Sequence, residues 1–225
     1  HDLRSFLQHL SRHRQLLEID APVDPVLEST TLSLRALREG GPALLMNKAV
    51  GSPHAMLGNL FGHRRRIELA IGDRPLASLH ELGQLLASLK EPRWPSSLRE
   101  ALHSWPELAQ LAHVAPRQVD DAAFCEQVYE GDQVDLGRLP IQHCWPEDAG
   151  RLITFGLVIT RGVHQRRQNL AIYRQQVIGL NRVIMRWLAH RGGAQDYASW
   201  QQAWPDRPFP VLVAIGADPA TMLAA

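Results

Sequence analysis

One stretch of this 225-residue chain carries residue types that packing alone does not call for. Between Arg167 and Gly193 the apolar positions Leu170, Ile172, Val177 and Val183–Met185 are interrupted by Asn169, Tyr173, Arg174, Arg186 and His190. A basic glycine pair, Arg191-Gly192-Gly193, follows directly. A neutral imidazole and an amide oxygen can ligate a divalent cation alongside carboxylate or phosphate oxygens. The arginines offer planar forks for phosphate or carboxylate, and glycines just ahead of a helix leave backbone N–H groups open to a phosphate. An edge hairpin with a solvated charged face would use the same residue types, so spacing alone leaves both readings open.

The elements that must position these residues can be read from periodicity. The stretch itself predicts a β-hairpin, with one arm running from Leu170 to Val177, turn chemistry at Gly179-Leu180-Asn181 and a return arm at Val183–Met185. A helix is expected to begin near Ala194, with Asp196–Trp204 as its body. Further strands are expected at Cys125–Tyr129, Leu152–Thr160 and Val211–Ile215, the last as a central strand, and Asp218 can cap a final helix.

Upstream the texture differs. Asp2 can cap a helix over residues 2–13 whose Leu3, Phe6, Leu7 and Leu10 form one stripe. A short strand at Leu16–Ile19 precedes Asp24-Pro25, which reads as a cap plus a first-turn proline for a helix ending at Gly40. Strands at Ala43–Met46 and Met56–Leu60 flank the Gly51-Ser-Pro53 turn. His63-Arg-Arg-Arg66 opens a helix through Ala70 and reads as a solvated helix start or a subunit contact. Ser78 and Glu81 form a capping box ahead of Leu82, Leu85, Leu86 and Leu89. Pro92-Arg-Trp-Pro95 interrupts the pattern, short helical segments follow near Leu98–His103 and Glu107–His113, and the module boundary falls between residues 114 and 124. The chain thus divides into an α/β module over 1–118 and a strand-rich module over 119–225.

Bulk properties narrow the function classes. A formal net charge of +1 supplies no global field for nucleic acid, and one short basic cluster at Arg64–Arg66 lacks the extended face such binding needs. No nucleic-acid partner is expected. Cys125 and Cys144 stand in unlike contexts, which fits free thiols in a reducing compartment. The longest apolar run, Phe209–Ala217, contains Pro210 and Gly216 and is too short to span a bilayer. The opening at His1 rather than Met suggests a trimmed or partial sequence.

Cys144-Trp-Pro-Glu-Asp148 could offer a nucleophile and an acid/base pair. No partnered His is specified for Cys144, so a structural role is expected there and a loop contact for Glu147 and Asp148.

Taken with Cys144–Asp148, Leu152-Ile-Thr-Phe-Gly156, Asp2-Leu-Arg4, Gly40-Gly-Pro-Ala-Leu-Leu45, Asn59-Leu-Phe-Gly62 and Gly216-Ala-Asp-Pro-Ala220, the Arg167–Gly193 stretch resembles the UbiD family of reversible decarboxylases. The resemblance implies an α+β chain whose second module is a split β-barrel, a flavin reductase-like flavin-binding domain, cut short here. It implies prenylated FMN, made by a partner flavin prenyltransferase, held with Mn2+ or a similar divalent cation.

Asn169 and His190 match the family's metal-binding Asn and His. Thr154, Ile172, Tyr173, Arg174, Arg186, Trp187, Leu188, Arg191 and Gly192 match positions lining the flavin, and Arg174 also matches the arginine of the catalytic Glu-Arg-acid network. Ala171 stands where relatives often have Gly.

The implied reaction is decarboxylation of 3-polyprenyl-4-hydroxybenzoate to 2-polyprenylphenol and CO2 in ubiquinone biosynthesis. A homo-oligomer (dimer or hexamer) is implied, cytoplasmic and peripheral on the inner membrane. The family's remaining metal Glu and the acidic partners of Arg174 fall beyond Ala225, so these residues alone are expected to be inactive and to hold flavin poorly. The alternative is a split-barrel oxidoreductase using plain FMN, which the Asn169/His190 pair argues against.

Overall fold

A computed structural model describes residues 2–90, 123–163 and 167–225. Residues up to Arg74 and those from Asp132 onward form one compact unit, and Pro75–Gly131 forms another. The expected break at Pro92–Pro95, the two helical segments after it and the boundary up to residue 122 lie outside the described residues.

The larger unit opens with α1 (Leu3–Arg12), where Asp2 accepts the Ser5 N–H at 2.8 Å and the Ser5 hydroxyl answers the Asp2 N–H at 3.0 Å. That reciprocal cap fixes the helix start, and the apolar stripe then buries Phe6 and Leu10 against Ala43 and Leu69. Each such large side chain contributes about 1.5–3 kcal/mol on burial.

Strand β1 (Leu16–Val23) pairs in parallel with β2 (Ala43–Ala49), which pairs antiparallel with β3 (Met56–Gly58). Strand β1 runs four residues past the expected Ile19, because pairing resumes at Pro22↔Lys48 after an irregularity. A second apolar cluster of Val23, Met46, Ala49 and Met56 lies on this sheet.

The second helix, α2 (Glu28–Arg38), does not start at Asp24-Pro25. The Asp24 carboxylate instead accepts the Val26 N–H at 2.8 Å, and Val26 bridges to His143 in a parallel β contact. Leu27, held at φ 64, then turns the chain into the helix. A pairing 117 positions away in sequence therefore overrides a local start signal. Gly40, at φ +64, ends the helix as expected.

The basic run that opens α3 (Arg64–Ala70) is solvated only in part. Arg64 and Arg65 pair with Glu68 and Asp73 near the surface, but Arg66 is fully buried. Its guanidinium donates to Leu60 O, Gly41 O and Asn59 O at 2.9–3.0 Å, with Gln15 Oε1 at 3.3 Å. Burial lowers its pKa, yet an arginine stays protonated at neutral pH. Arg66 is a tie between loops, not a solvated helix start.

In the smaller unit, α4 spans Ser78–Lys90. Ser78 is its first residue and donates its hydroxyl to Pro75 O at 2.7 Å, so it does not act as the expected N-cap. The predicted strand at Cys125–Tyr129 is absent: a 3₁₀ turn occupies Ala123–Cys125 and irregular chain follows, with Phe124 85% exposed.

From Leu152 on, short strands form two three-stranded sheets. One runs in the order β4 (Leu152–Ile153), β7 (Gln175–Gly179), β8 (Arg182–Met185). The other runs β6 (Asn169–Ile172), β5 (Leu157–Thr160), β9 (Leu212–Ala214). Among the described residues these strands do not close into a barrel. The expected hairpin exists as β7–β8, but its first arm is broken at Tyr173-Arg174, where the chain leaves one sheet for the other.

The expected strand at Leu152–Thr160 breaks likewise around Gly156. A Cβ there would stand 3.0 Å from Gln175 Nε2 and 3.1 Å from Ile153 and Val213, so any larger residue would have to push these side chains aside at the crossing. The strand expected at the centre is shorter, and β9 pairs on one side only among the described strands, with Leu212 half exposed. Helix α5 (Gly192–Ala203) follows β8, and α6 (Pro219–Ala224) is capped by Asp218, which accepts the Ala220 and Thr221 N–H groups at 3.0 Å.

Candidate functional site

Asn169, Tyr173 and Trp187 gather around the N-terminus of α5. This helix begins at Gly192, two residues before Ala194 and four before Asp196. Its N-cap residue, Arg191, makes no side-chain capping bond, and the N-terminus of a helix, with the positive end of its dipole, favours an anion. Two contacts explain the glycines. A side chain at 192 would run into Asn169 Oδ1, and a Cβ at 193 would press on Trp187 and Tyr173 at 3.3 Å. The Gly193 N–H donates to the Tyr173 hydroxyl at 3.2 Å. The first residue of β6 and the residue just after that strand are thus packed directly on the helix start.

Beneath this contact lies a buried polar chain. Thr160 of β5 sits opposite Asn169 of β6 in the antiparallel register. The Asn169 amide N–H donates to Thr160 Oγ1 at 3.3 Å, and the Thr160 hydroxyl donates to Asp196 Oδ2 at 2.7 Å. Thr160 is 2% exposed and Asp196 fully buried. The other Asp196 oxygen has no hydrogen-bond partner among the described residues, and Arg167 stands 3.9 Å from it. Sequence reasoning missed Thr160 and Asp196. The available signal was a carboxylate inside a helical segment, but it read as a helix start.

An aromatic wall backs the site. Trp187 meets Tyr173, Tyr197 and Phe209 edge-on at centroid distances of 6.0, 5.8 and 5.9 Å. Its buried indole N–H has no acceptor among the described residues. Such edge contacts add about 0.5–1.5 kcal/mol each beyond burial, so the wall is stiff where it faces the helix start.

The remaining predicted residues fall in two groups. Leu188, His190 and Arg191 form the exposed turn into α5, where Arg191 N–H donates to Leu188 O at 2.9 Å and Gln195 reaches His190 O at 3.3 Å. His190 lies two residues from Gly192, the residue against which Asn169 packs. Thr154, Arg174 and Arg186 collect elsewhere. With Ile153 opposite Gln175 and Gln175 opposite Met185, the next residue at that end of each strand is Thr154, Arg174 or Arg186. Ile172 ends β6 and leads through Tyr173 to Arg174, joining the two groups. Both groups are rich in cations and N–H donors, which suits a ligand with separate anionic parts. Away from this region, Asp148 accepts the Trp145 N–H at 3.2 Å, a loop contact. Cys125 and Cys144 are free thiols.

Comparisons with known proteins give the family. The profile of the 3-octaprenyl-4-hydroxybenzoate carboxy-lyase N-terminal domain matches residues 7–86, and that of the Rift-related domain of the same carboxy-lyase matches residues 117–225. Among solved structures, the UbiD-class enzyme HmfF from Pelotomaculum thermopropionicum, in complex with FMN, is 27% identical with a TM-score of 0.76, over 97% of this chain and 43% of that one. A dimeric evolved form of HmfF, in complex with prFMN, matches at the same identity and TM-score. The 3,4-dihydroxybenzoic acid decarboxylase of Enterobacter cloacae is also 27% identical, with a TM-score of 0.71 over 97% of this chain and 43% of its own. The chain therefore spans less than half the length of these relatives. On both domain matches, it belongs to the UbiD family of decarboxylases.

Proposed function

We propose that this chain forms the N-terminal and central part of a decarboxylase that converts 3-polyprenyl-4-hydroxybenzoate to 2-polyprenylphenol and CO2 for ubiquinone biosynthesis. In this reading residues 1–118 are the α/β module, and residues 119–225 contribute to a split β-barrel that holds prenylated FMN with Mn2+ or a similar cation. The observation that carries it is the packing of the Asn169 amide oxygen against Gly192, at a helix start whose N-cap side chain makes no capping bond. A hard oxygen donor beside backbone N–H groups is the donor set for a cation bridged to a phosphate.

Asn169 and His190 would hold the cation, and Arg191 with the first-turn N–H groups of α5 would neutralise the phosphate. When bound, the modified flavin supplies the electron sink for the ring carbon that loses CO2. Arg174 orients the substrate carboxylate by a two-pronged contact and lowers the pKa of a neighbouring acid. Tyr173 and Trp187 would line the flavin and exclude water from it, with Thr154, Ile172, Arg186 and Leu188 as further lining residues. The polyprenyl tail partitions into lipid at about 0.8 kcal/mol per buried CH₂, so the enzyme meets its substrate as a peripheral protein at the inner membrane. It works as a homo-oligomer supplied with cofactor by a flavin prenyltransferase. Residues 1–225 alone hold Arg174 without its acidic partners and are expected to release no CO2.

The test is cofactor retention in a complete enzyme carrying this chain. Asn169→Ala and His190→Ala are expected to lose manganese and flavin together on gel filtration. Retention of both by either variant would overturn the assignment.

A further inference from the structure

We infer that Thr160 and Asp196 are positioning residues: together they set which end of the Asn169 amide faces the cation site. This rests on the metal-binding reading of Asn169 above, and the test separates the two.

A carboxamide presents nearly the same shape with its oxygen or its nitrogen forward, and only its hydrogen bonds choose between them. At Asn169 that choice is made from below. Thr160 has one hydroxyl proton. Asp196 Oδ2, at 2.7 Å, takes it. Thr160 Oγ1 is then left only with lone pairs toward Asn169, and an amide oxygen turned that way would meet them with no proton between. The amide N–H₂ is the only end that fits, and it lies 3.3 Å away. Its oxygen is therefore turned the other way, toward Gly192, where a cation could reach it.

The order of the chain depends on Asp196 being an acceptor. A carboxylate buried in the protein cannot donate while ionised, so the Thr160 proton has one destination. Asp196 is fully buried, one of its oxygens lacks a hydrogen-bond partner among the described residues, and Arg167 stands 3.9 Å from that oxygen. A buried carboxylate held by one hydrogen bond and one long ion pair is costly. Orienting a ligand amide is a use that accounts for it. The elements make the chain rigid, because Thr160 and Asn169 face each other across a β ladder and Asp196 is fixed in the second turn of α5.

The experiment measures Mn2+ affinity, by the electron paramagnetic resonance signal of free Mn2+, in a complete enzyme carrying this chain and loaded with plain FMN. Thr160→Val keeps the side-chain shape but removes both hydrogen bonds, and it is expected to weaken Mn2+ binding about tenfold or more, the usual scale for outer-shell partners. Thr160→Ser restores the hydroxyl and is expected to return affinity to within about twofold of the parent. Asp196→Asn preserves volume but no longer fixes the Thr160 proton, and it is expected to weaken binding in the same direction. It also serves as the test should Thr160→Val fail to fold. Asn169→Ala is the control on the underlying reading. If it abolishes Mn2+ binding while folded Thr160→Val and Asp196→Asn bind like the parent, the positioning role is wrong. If Asn169→Ala binds Mn2+ normally, the metal-site reading fails first. A Thr160→Ser variant as weak as Thr160→Val would also overturn the hydroxyl-based argument.

Discussion

The amide oxygen of Asn169 fills the space that a side chain at position 192 would occupy. These residues are 23 apart in sequence, the first at the start of a strand and the second at the start of a helix. Gly192→Ala would favour the helix by propensity but would push the amide aside. We expect the variant to stay folded, with a melting temperature near that of the parent, and to lose flavin and manganese about tenfold more readily. Fluorescence of flavin released on dialysis checks this, and parental retention would mean the contact is unrelated to cofactor binding.

Tyr173→Phe removes the hydroxyl that accepts the Gly193 N–H. The orphaned donor and the lost anchor should cost about 1–2 kcal/mol, read as a lower denaturant midpoint with an unchanged slope. A neutral result would show that water takes the place of the hydroxyl.

Arg66→Met replaces a buried guanidinium that serves three carbonyls and Gln15. The carbonyls of Gly41, Asn59 and Leu60 would each lose a donor, for a total cost of about 3 kcal/mol or more. Arg66→Lys should recover only part of this, since an ammonium cannot reproduce the planar fork. Thermal unfolding of the two variants gives the ranking, and a stable Arg66→Met variant would mean the loops hold without the tie.

How far the sequence revealed this arrangement depends on how local each feature is. Helix α1 was legible because its cap and stripe both lie within twelve residues. The left-handed end of α2 at Gly40 was legible for the same reason. Its start was not, because Val26 is claimed by His143 from the far half of the chain. Arg66 was misread since a run of three arginines looks solvated, and only the fold brings four oxygens around one of them. The arm from Leu170 to Val177 has continuous strand propensity, and nothing local marks Tyr173-Arg174 as a change of sheet.

At the site, residue type and family resemblance pointed to Asn169, Tyr173, Trp187 and Gly192, which the fold does gather. They did not point to Thr160 and Asp196, whose significance exists only through pairing across the ladder and through burial. His190 and Arg174 are exposed, and residue type and resemblance, not burial, single them out.

Attachment to the bilayer gives a further check. Among the described residues no helix is long and apolar enough to cross a membrane. A complete enzyme carrying this chain is expected to leave membranes on washing with high salt and carbonate, and persistence in the pellet would contradict peripheral association.

The central claim is a decarboxylation in which Arg174 handles the substrate carboxylate, and its most direct measurement is CO2 release. A complete enzyme carrying this chain, supplied with prenylated FMN and manganese, should release CO2 from 3-polyprenyl-4-hydroxybenzoate. Arg174→Ala should lose at least about a thousandfold of that rate, on the order of 4 kcal/mol in the barrier, while flavin still co-purifies. No CO2 from the parent, or near-parental turnover by Arg174→Ala, would contradict the account.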